Sequence, residues 1–372
     1  MIVYLLTSAI SVWFAFLVNK SQLALNTLTP FDITKERKLD VKTKFFVFLS
    51  FLPLYIVSAI RYCVGTDYAG TYRLLYNSTY IFGYKFNFKA ENLYALLNRI
   101  AIMYSGADYT GVFALSSMLI CGFTFLGFVK VSKNIGYSVL FWIVSGAYFW
   151  TFNGVRQAIA MSVFIFAFQY IKKQKPIHYI VCIIIAIGFH KIALLYLPMY
   201  YIHKIKLNLA AIAVILIAVF GFAAFFKNTA IWLSANITMF NVFNSRYFET
   251  DIIERSSFAH IFINILFLIL FIIITRVYKV QDEESNGWVN MQFVAVVFSL
   301  LISVIPWVSR LSRLYAAVLP LSIPYIVALI PNEKSKRFIN ASIVSCYCIY
   351  TFITYFILKY HNVLPYRTIF NK

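Results

Sequence analysis

The chain has 372 residues, of which 62% are hydrophobic and only 12% are charged. Because soluble domains carry about 25% charged residues, this composition excludes an ordinary soluble protein and predicts an all-α polytopic protein of the lipid bilayer. The net charge of +20 favours basic loops against anionic lipid over a nucleic-acid partner, since no basic segment resembles a nucleic-acid-binding motif.

Hydropathy predicts about 12 membrane segments in a single multi-span membrane domain covering residues 1–372. The first segment lacks a basic flank and a small-residue cleavage site, so we expect a retained span and not a signal peptide. Segments 177–189 and 192–203 are short, and we expect either a hairpin that does not fully cross or two tilted helices. In chain order the predicted segments are 2–18, 45–60, 109–128, 136–153, 155–171, 177–189, 192–203, 208–226, 259–275, 288–306, 314–330 and 338–357.

Most lysines are predicted to lie on one side of the membrane and most arginines on the other. Lysines dominate the loop 19–44 and alternate connectors such as KKQK and EKSKR, which predicts that this side is cytoplasmic. A guanidinium binds phosphate in a bidentate manner, so a set of outward arginines indicates a phosphate-bearing ligand. The arginines predicted to lie outside are Arg61, Arg73, Arg99, Arg156, Arg246, Arg255, Arg310, Arg313 and Arg367. Alternatively, some of them pair with nearby carboxylates, namely Asp67, Asp108, Glu249, Asp251 and Glu254.

Two outward segments, 61–108 and 227–258, are long enough to hold structure and are predicted to cap an outward cavity. Within the first, KAENLYALLNRIAIMY has apolar residues at helical spacing, which predicts an amphipathic helix lying in the membrane interface.

The stretch RYCVGTDYAGTY follows the second predicted span and carries Arg61, Asp67, Tyr68 and Tyr72. As a site, it offers an arginine for phosphate, an aspartate for a sugar hydroxyl or for proton abstraction, and amphipathic tyrosines at the interface. As plain structure, it is an Arg–Asp ion pair that closes a loop within an aromatic belt.

The stretch FNGVRQAIAM begins another predicted helix, with Asn153 as its expected cap. Arg156 and Gln157 then lie in the first turn, where a cation opposes the helix dipole unless an anion joins it. Helix amides and a guanidinium together make a phosphate site. The alternative is that Arg156 extends to the lipid headgroups.

His190 lies between the two short apolar segments in GFHKIALLYLP. An ionisable group within a membrane protein is a functional candidate, and histidine can act as a base or as a neutral hydrogen-bond donor. The alternative is an interfacial residue at a span end.

Arg310 and Arg313 lie three residues apart in PWVSRLSRLY and therefore share a helix face. Two cations at this spacing repel unless an anion joins them, and diphosphate is suitable; the alternative is a charged outer loop. Hydrolase, kinase and paired-carboxylate signatures are missing, so a metal-dependent sugar-nucleotide transferase is disfavoured and no cofactor or metal is expected.

Together these stretches resemble the EpsG family, within the wider group of Wzy-type polysaccharide polymerases. The matching elements are R-x5-D-Y-x3-Y (Arg61, Asp67, Tyr68, Tyr72), VRQAIA (Arg156, Gln157), FHK (His190) and SRLSRLY (Arg310, Arg313). The resemblance implies a multi-span fold similar to that of lipid-linked-sugar glycosyltransferases, in the bacterial cytoplasmic (inner) membrane. It also implies a metal-independent polymerase that acts on undecaprenyl-diphosphate-linked oligosaccharide at the periplasmic, outer face, yielding O-antigen, capsule or exopolysaccharide. A chain-length regulator is a candidate partner.

The expected roles follow from this reaction. Binding of the substrate diphosphate is assigned to Arg156, Arg310, Arg313 and, with less weight, Arg61. Proton transfer is assigned to His190 in preference to Asp67, and sugar contact to Tyr68, Tyr72 and Gln157. The alternative function is a lipid-linked oligosaccharide flippase or another polysaccharide transporter, which would distribute charges through the full membrane depth. An acyltransferase would also use a histidine, but the sequence has no further sign of an acyl-donor site.

Overall fold

The computed structural model describes residues 1–26, 39–83, 91–236, 256–280, 282–303 and 309–371. Within these ranges the chain is built of helices and turns, which confirms the predicted all-α class. By its internal contacts it forms two compact units, Met1–Leu197 together with Leu319–Lys372, and Pro198–Val318.

The helices of the first unit carry the N-terminal half of the chain and its C-terminal end. They are α1 (Ile2–Asn26), α2 (Val41–Ala59), α3 (Arg73–Phe82), α4 (Asn92–Ser105), α5 (Gly111–Val131), α6 (Ile135–Val144), α7 (Ala147–Trp150), α8 (Val155–Lys172), α9 (Pro176–Phe189), α15 (Leu319–Ala328) and α16 (Glu333–Thr351). The second unit contains α10 (Met199–Ile202), α11 (Leu209–Asn236), α12 (Ser256–Val277), α13 (Glu283–Leu300) and α14 (Ser309–Ala316).

Five helical stretches of the described chain are long and apolar enough to cross a membrane, or up to six if a bent helix pair is counted as one span. They are Ile2–Ser21, Val41–Ala59, Gly111–Val131, His260–Val277 and Glu333–Ile357. The predicted count of about 12 membrane segments is therefore not confirmed, although helices occupy the predicted regions. Helix α9 shows one reason: its 14 residues reach about 21 Å, less than the hydrocarbon thickness of about 30 Å.

The second of the two short predicted segments, 192–203, is not a regular α-helix. A 3-10 helix over Lys191–Tyr196 follows α9 directly, and His190 between them has an extended backbone with φ −156° and ψ 119°. The Tyr179 hydroxyl donates to the Tyr196 carbonyl at 2.6 Å, and the Tyr196 ring stacks on Phe164 of α8 at 3.7 Å. These contacts fold the chain back beside α8 and hold His190 at the turn.

Helices α5 and α8 pack closely at the centre of the first unit. A Cβ at Gly127 of α5 would come within 2.6 Å of the Ile165 side chain of α8, so the absent side chain permits this approach. The α8 residues on every face are mostly buried. The second unit has a smaller core, built around Ile212, Leu268, Phe293 and Val296.

The predicted cap segments are described only in part. Segment 61–108 holds a π-helical turn over Tyr68–Tyr72, α3 and α4, and α4 confirms the predicted helix; residues 84–90 lie outside the described residues. Segment 227–258 has residues 237–255 outside them, including two of the predicted outward arginines and three of their candidate carboxylates. A cap over a cavity stays a prediction.

Candidate active site

One carboxylate, that of Glu91, joins two residues that the sequence predicts as functional. Its Oε2 accepts a hydrogen bond from Nη1 of Arg156 in an ion pair, and its Oε1 is hydrogen-bonded to Nδ1 of His190. The backbone amide of Lys191 also donates to Oε1, at 3.3 Å. Residues far apart in the chain therefore form one polar cluster at Glu91.

Three helix ends bring this cluster together. Glu91 immediately precedes α4, Arg156 lies in the first turn of α8, and His190 caps the C-terminus of α9. The side chains of Glu91, His190 and Arg156 are 13%, 17% and 29% exposed. The carboxylate is thus the most enclosed member, and the two basic groups retain access from outside the protein.

A glycine permits the approach of α4 to the end of α9. A Cβ at Gly188 would lie 2.6 Å from Cγ and Cδ1 of Leu93, in the first turn of α4. Gly188 lies two residues before His190, and Leu93 lies two residues after Glu91. Their close contact therefore fixes the spacing between the imidazole and the carboxylate.

The surroundings of Glu91 favour its ionised form. Burial raises the pKa of a carboxyl group, but the hydrogen bond and charge of His190, the charge of Arg156 and the Lys191 amide outweigh burial, so the pKa of Glu91 lies below its usual value. A carboxylate bonded to Nδ1 orients the imidazole and, with the proton on Nδ1, leaves Nε2 as the basic nitrogen. This arrangement suits a general base whose imidazolium form is stabilised by Glu91.

The N-terminus of α8 differs from its predicted form. Gly154 precedes the first residue of α8, and no side chain caps the helix. The Asn153 side chain instead accepts hydrogen bonds from Thr66, at 2.5 Å from the backbone amide and 2.8 Å from the hydroxyl. The prediction that Asn153 caps α8 is therefore wrong, because the loop after α2 takes its carbonyl oxygen.

The Tyr72 hydroxyl lies at the first amides of α8. It interacts with the backbone N–H groups of Val155 and Arg156, and the charge of Asp67 acts on the same side chain. A protein hydroxyl thus occupies the helix N-terminus, and the partly exposed Arg156 guanidinium is the accessible part of the predicted anion site. Asp67 is half-buried beside Tyr72, and its predicted catalytic role stays a prediction.

Arg61 is buried, with 1% of its surface exposed. Its guanidinium lies over the rings of Phe113 and Phe152, 4.7 Å and 4.9 Å from their centroids, and donates to the Ser58 carbonyl and to the hydroxyls of Ser58 and Ser117. The structure therefore places Arg61 inside the protein and not at the mouth of a cavity, so we leave it out of the proposed diphosphate-binding set.

The residues predicted to contact sugar are also internal. Tyr68 is 0% exposed and stacks on Phe113 with ring centroids 4.0 Å apart, and its hydroxyl donates to the Arg61 carbonyl at 3.1 Å. Tyr72 and Gln157 are 2% and 3% exposed. In this structure Tyr68, Tyr72 and Gln157 are therefore packed inside the first unit, and their contact with sugar stays a prediction.

Arg310 and Arg313 lie together on α14 in the second unit, as their spacing predicts. Arg310 is exposed and Arg313 is half-buried. Their role in diphosphate binding stays a prediction.

Glu91 is the residue that sequence reasoning missed. It lies in the stretch KAENLYALLNRIAIMY, just before the predicted helix. An acidic residue is common there because it interacts favourably with the helix dipole, so its position does not indicate a functional role. It is separated from Arg156 by 65 residues and from His190 by 99, so no local spacing connects them. The one available signal is that carboxylates are scarce, with 13 in the chain against 33 lysines and arginines.

The EpsG family model matches residues 44–368, a range that includes every residue of the Glu91 cluster and α14. Searches of curated proteins and of solved structures found no match.

Proposed function

The chain belongs to the EpsG family, which indicates a role in polysaccharide biosynthesis, and from this premise we propose that it is a membrane glycosyltransferase that polymerises lipid-diphosphate-linked repeat units. The proposed substrate is undecaprenyl-diphosphate-linked oligosaccharide, and the proposed location is the outer face of the bacterial cytoplasmic membrane. The observation that carries the proposal is the Glu91 carboxylate, which orients His190 beside the accessible cation of Arg156.

The proposed reaction transfers a growing glycan from its lipid diphosphate to a hydroxyl of a new repeat unit. His190 Nε2 takes the proton of the acceptor hydroxyl, and the oxygen forms a bond to the anomeric carbon of the donor glycan. The bond from that carbon to the diphosphate oxygen breaks, and the lipid diphosphate leaves with the electron pair. The proton remains on His190 and is later released to water.

Charge changes within the cluster match this sequence of events. Before transfer, the negative charge of Glu91 balances the positive charge of Arg156. After proton transfer, imidazolium, guanidinium and carboxylate carry a net charge of +1 beside the leaving group. A cation held in place in this way stabilises the developing diphosphate charge without reorganisation, an effect worth several kcal/mol.

Two further observations support the proposed outer-face location and the proposed diphosphate substrate. The predicted outward arginines include Arg156 and the α14 pair, Arg310 and Arg313, so phosphate-binding groups concentrate on the predicted outer side. The guanidinium fork suits diphosphate, since it can bind two oxygen atoms at once.

The proposal is tested by replacing members of the cluster in cells that make the polysaccharide. We expect His190→Ala, Arg156→Ala and Glu91→Gln each to leave single repeat units and few long chains when surface glycans are separated on a gel. Glu91→Gln removes the charge but keeps the shape, and we expect activity to fall by about 100-fold.

The matched control is Glu333→Gln, because Glu333 also pairs with a cation, Lys336, but on an exposed helical turn. This variant should make chains of wild-type length. Long chains in all three cluster variants, with membrane expression confirmed by immunoblot, would rule out the assigned site.

A further inference from the structure

Helices α12, α13 and α14 of the second unit are joined by a buried chain of hydrogen bonds. The Ser312 hydroxyl lies 3.0 Å from Nε2 of His260 and 2.6 Å from the hydroxyl of Ser299. Asn264 Nδ2 donates to Ser299 Oγ at 3.1 Å and to the His260 carbonyl at 2.9 Å. Each of the three helices therefore contributes at least one member to a single network.

The network extends further, and its members other than the half-buried His260 lie away from solvent. Gln292 Nε2 donates to the Asn264 carbonyl at 2.8 Å. Ser299 and Ser312 are 0% exposed and Asn264 is 1% exposed. Buried polar groups are costly unless they are hydrogen-bonded, and a solely packing role would be served by apolar side chains.

The directions of these hydrogen bonds make Ser312 dependent on both neighbours. Ser299 Oγ donates to the Ala295 carbonyl at 2.7 Å in one arrangement, so Ser312 must then donate to Ser299, and His260 must donate to Ser312. In the other arrangement Ser299 donates to Ser312, which donates either to His260 or to the Ala295 carbonyl, 3.1 Å away. Either way, Ser312 has partners on both α12 and α13, and the rotation of α14 about its axis is fixed at this residue.

Arg313 follows Ser312 directly and is half-buried, and its charge acts on the His260 ring. The exposed Arg310 lies three residues before Arg313 on the same helix face. Fixing the rotation of α14 at Ser312 therefore fixes the direction in which the two guanidinium groups leave the helix.

We propose that Ser312 and His260 are positioning residues, which hold α14 so that Arg313 binds the diphosphate of a lipid-linked substrate. This inference rests on the diphosphate role assigned to Arg313 under the proposed function. Ser312 and His260 act through Arg313 and do not contact the substrate themselves.

The test is a double-mutant cycle on the full-length chain, purified in detergent, with inorganic pyrophosphate as the probe and its affinity measured by calorimetry at constant salt. We expect Ser312→Ala to weaken pyrophosphate binding about 2–10-fold, as for the loss of one buried hydrogen bond. Arg313→Ala should weaken it about 10-fold or more. In the Arg313→Ala background, adding Ser312→Ala should cause no further loss of affinity. With Arg313 present, Ser312→Thr keeps the hydroxyl and should bind pyrophosphate nearly as tightly as the wild type.

The matched control is Ser285→Ala on α13, which removes a buried hydroxyl that bonds the Asp282 carbonyl and should bind pyrophosphate as the wild type does. The positioning role is overturned if Ser312→Ala binds normally, or if its effect adds fully to that of Arg313→Ala. If Ser312→Ala does not fold, His260→Leu enters the same cycle with the same two outcomes.

The two proposals fail in different measurements. Normal pyrophosphate binding by Arg313→Ala would remove both the diphosphate role of Arg313 and the positioning role of Ser312. Loss of long glycan chains in His190→Ala would still support the polymerase, whereas normal chains in the cluster variants would contradict the polymerase site whatever the pyrophosphate result.

Discussion

Arg61 and Arg156 show how the same residue type serves two purposes in the first unit. Arg61 is 1% exposed, with its guanidinium between two aromatic rings and bonded to serine oxygens. The Arg156 side chain is 29% exposed and pairs with Glu91. Arg61 therefore contributes to the core, whereas Arg156 has both a fixed partner and access to a ligand.

This contrast predicts different consequences for the two alanine variants. Arg61→Ala should lower the free energy of unfolding by about 2–4 kcal/mol, because it removes buried cation–π contacts and hydrogen bonds and leaves a cavity. Arg156→Ala should lower it by less than about 1 kcal/mol, since the pair is partly exposed. Thermal unfolding of the purified proteins in detergent measures both, and a larger loss for Arg156→Ala than for Arg61→Ala would contradict the assignment.

The low pKa of Glu91 predicts a pH dependence of stability. Because the folded-state pKa of Glu91 lies below the usual glutamate value of 4.5, the stabilisation by Glu91 is fully present above that value and is lost as the pH falls through the lower, folded-state pKa. We expect the unfolding temperature of the wild type to fall more steeply below about pH 4.5 than that of Glu91→Gln. Parallel curves for the two proteins would show that Glu91 is not stabilised as described.

Individual site residues were predicted from the sequence to an uneven extent. His190 and Arg156 stand out because they are ionisable groups at the ends of apolar stretches, and the structure brings them together at Glu91. The burial of Arg61, Tyr68 and Tyr72 depends on packing between distant helices. A short motif carries no information about such packing.

At the scale of elements, the site depends on how closely α4 approaches α9. Gly188→Ala places a methyl group 2.6 Å from side-chain atoms of Leu93, so Leu93 and the end of α4 that carries it must shift away from α9. We expect a loss of about 1–3 kcal/mol in the free energy of unfolding and at least about a 10-fold loss of activity, because His190 moves relative to Glu91.

Helix α5 offers a matched control for this substitution. Among the described residues, an added Cβ at Gly122 would meet no atom within 4 Å beyond its own helix backbone, so Gly122→Ala should be neutral or stabilise the protein by up to about 1 kcal/mol. Gly188→Ala combined with Leu93→Ala should recover activity. If Gly188→Ala alone has the same free energy of unfolding and the same activity as Gly122→Ala, the close approach of α4 to α9 is not needed.

The sequence predicted which regions are helical better than it predicted how helices end. The predicted segment 155–171 begins at the first residue of α8, but the predicted cap, Asn153, is wrong: its side chain bonds Thr66 from a different part of the chain. Segment 192–203 was expected as a short span, whereas Lys191–Tyr196 forms a 3-10 helix held by tertiary contacts to Phe164 and Tyr179.

At the scale of the whole molecule, hydropathy identifies apolar helices but does not separate those facing lipid from those inside the protein. The apolar stretch of α5 is 61% buried within the protein, whereas that of α1 is 22% buried. Counting both kinds as equal led to about 12 predicted membrane segments, against five long apolar stretches in the described residues. Helix α8 has 18 residues and buries most of them, which suits a central support for Arg156.

The central claim is that His190, held by Glu91 and next to Arg156, promotes glycosyl transfer with loss of a lipid diphosphate. The most direct measurement uses the purified full-length chain in lipid vesicles with undecaprenyl-diphosphate-linked oligosaccharide, and quantifies free lipid diphosphate and glycan length together. We predict one lipid diphosphate released for each repeat unit added, with both rates reduced at least about 100-fold in His190→Gln and unchanged in Glu333→Gln. Chain growth at the wild-type rate in His190→Gln, or growth without release of lipid diphosphate, would contradict the claim.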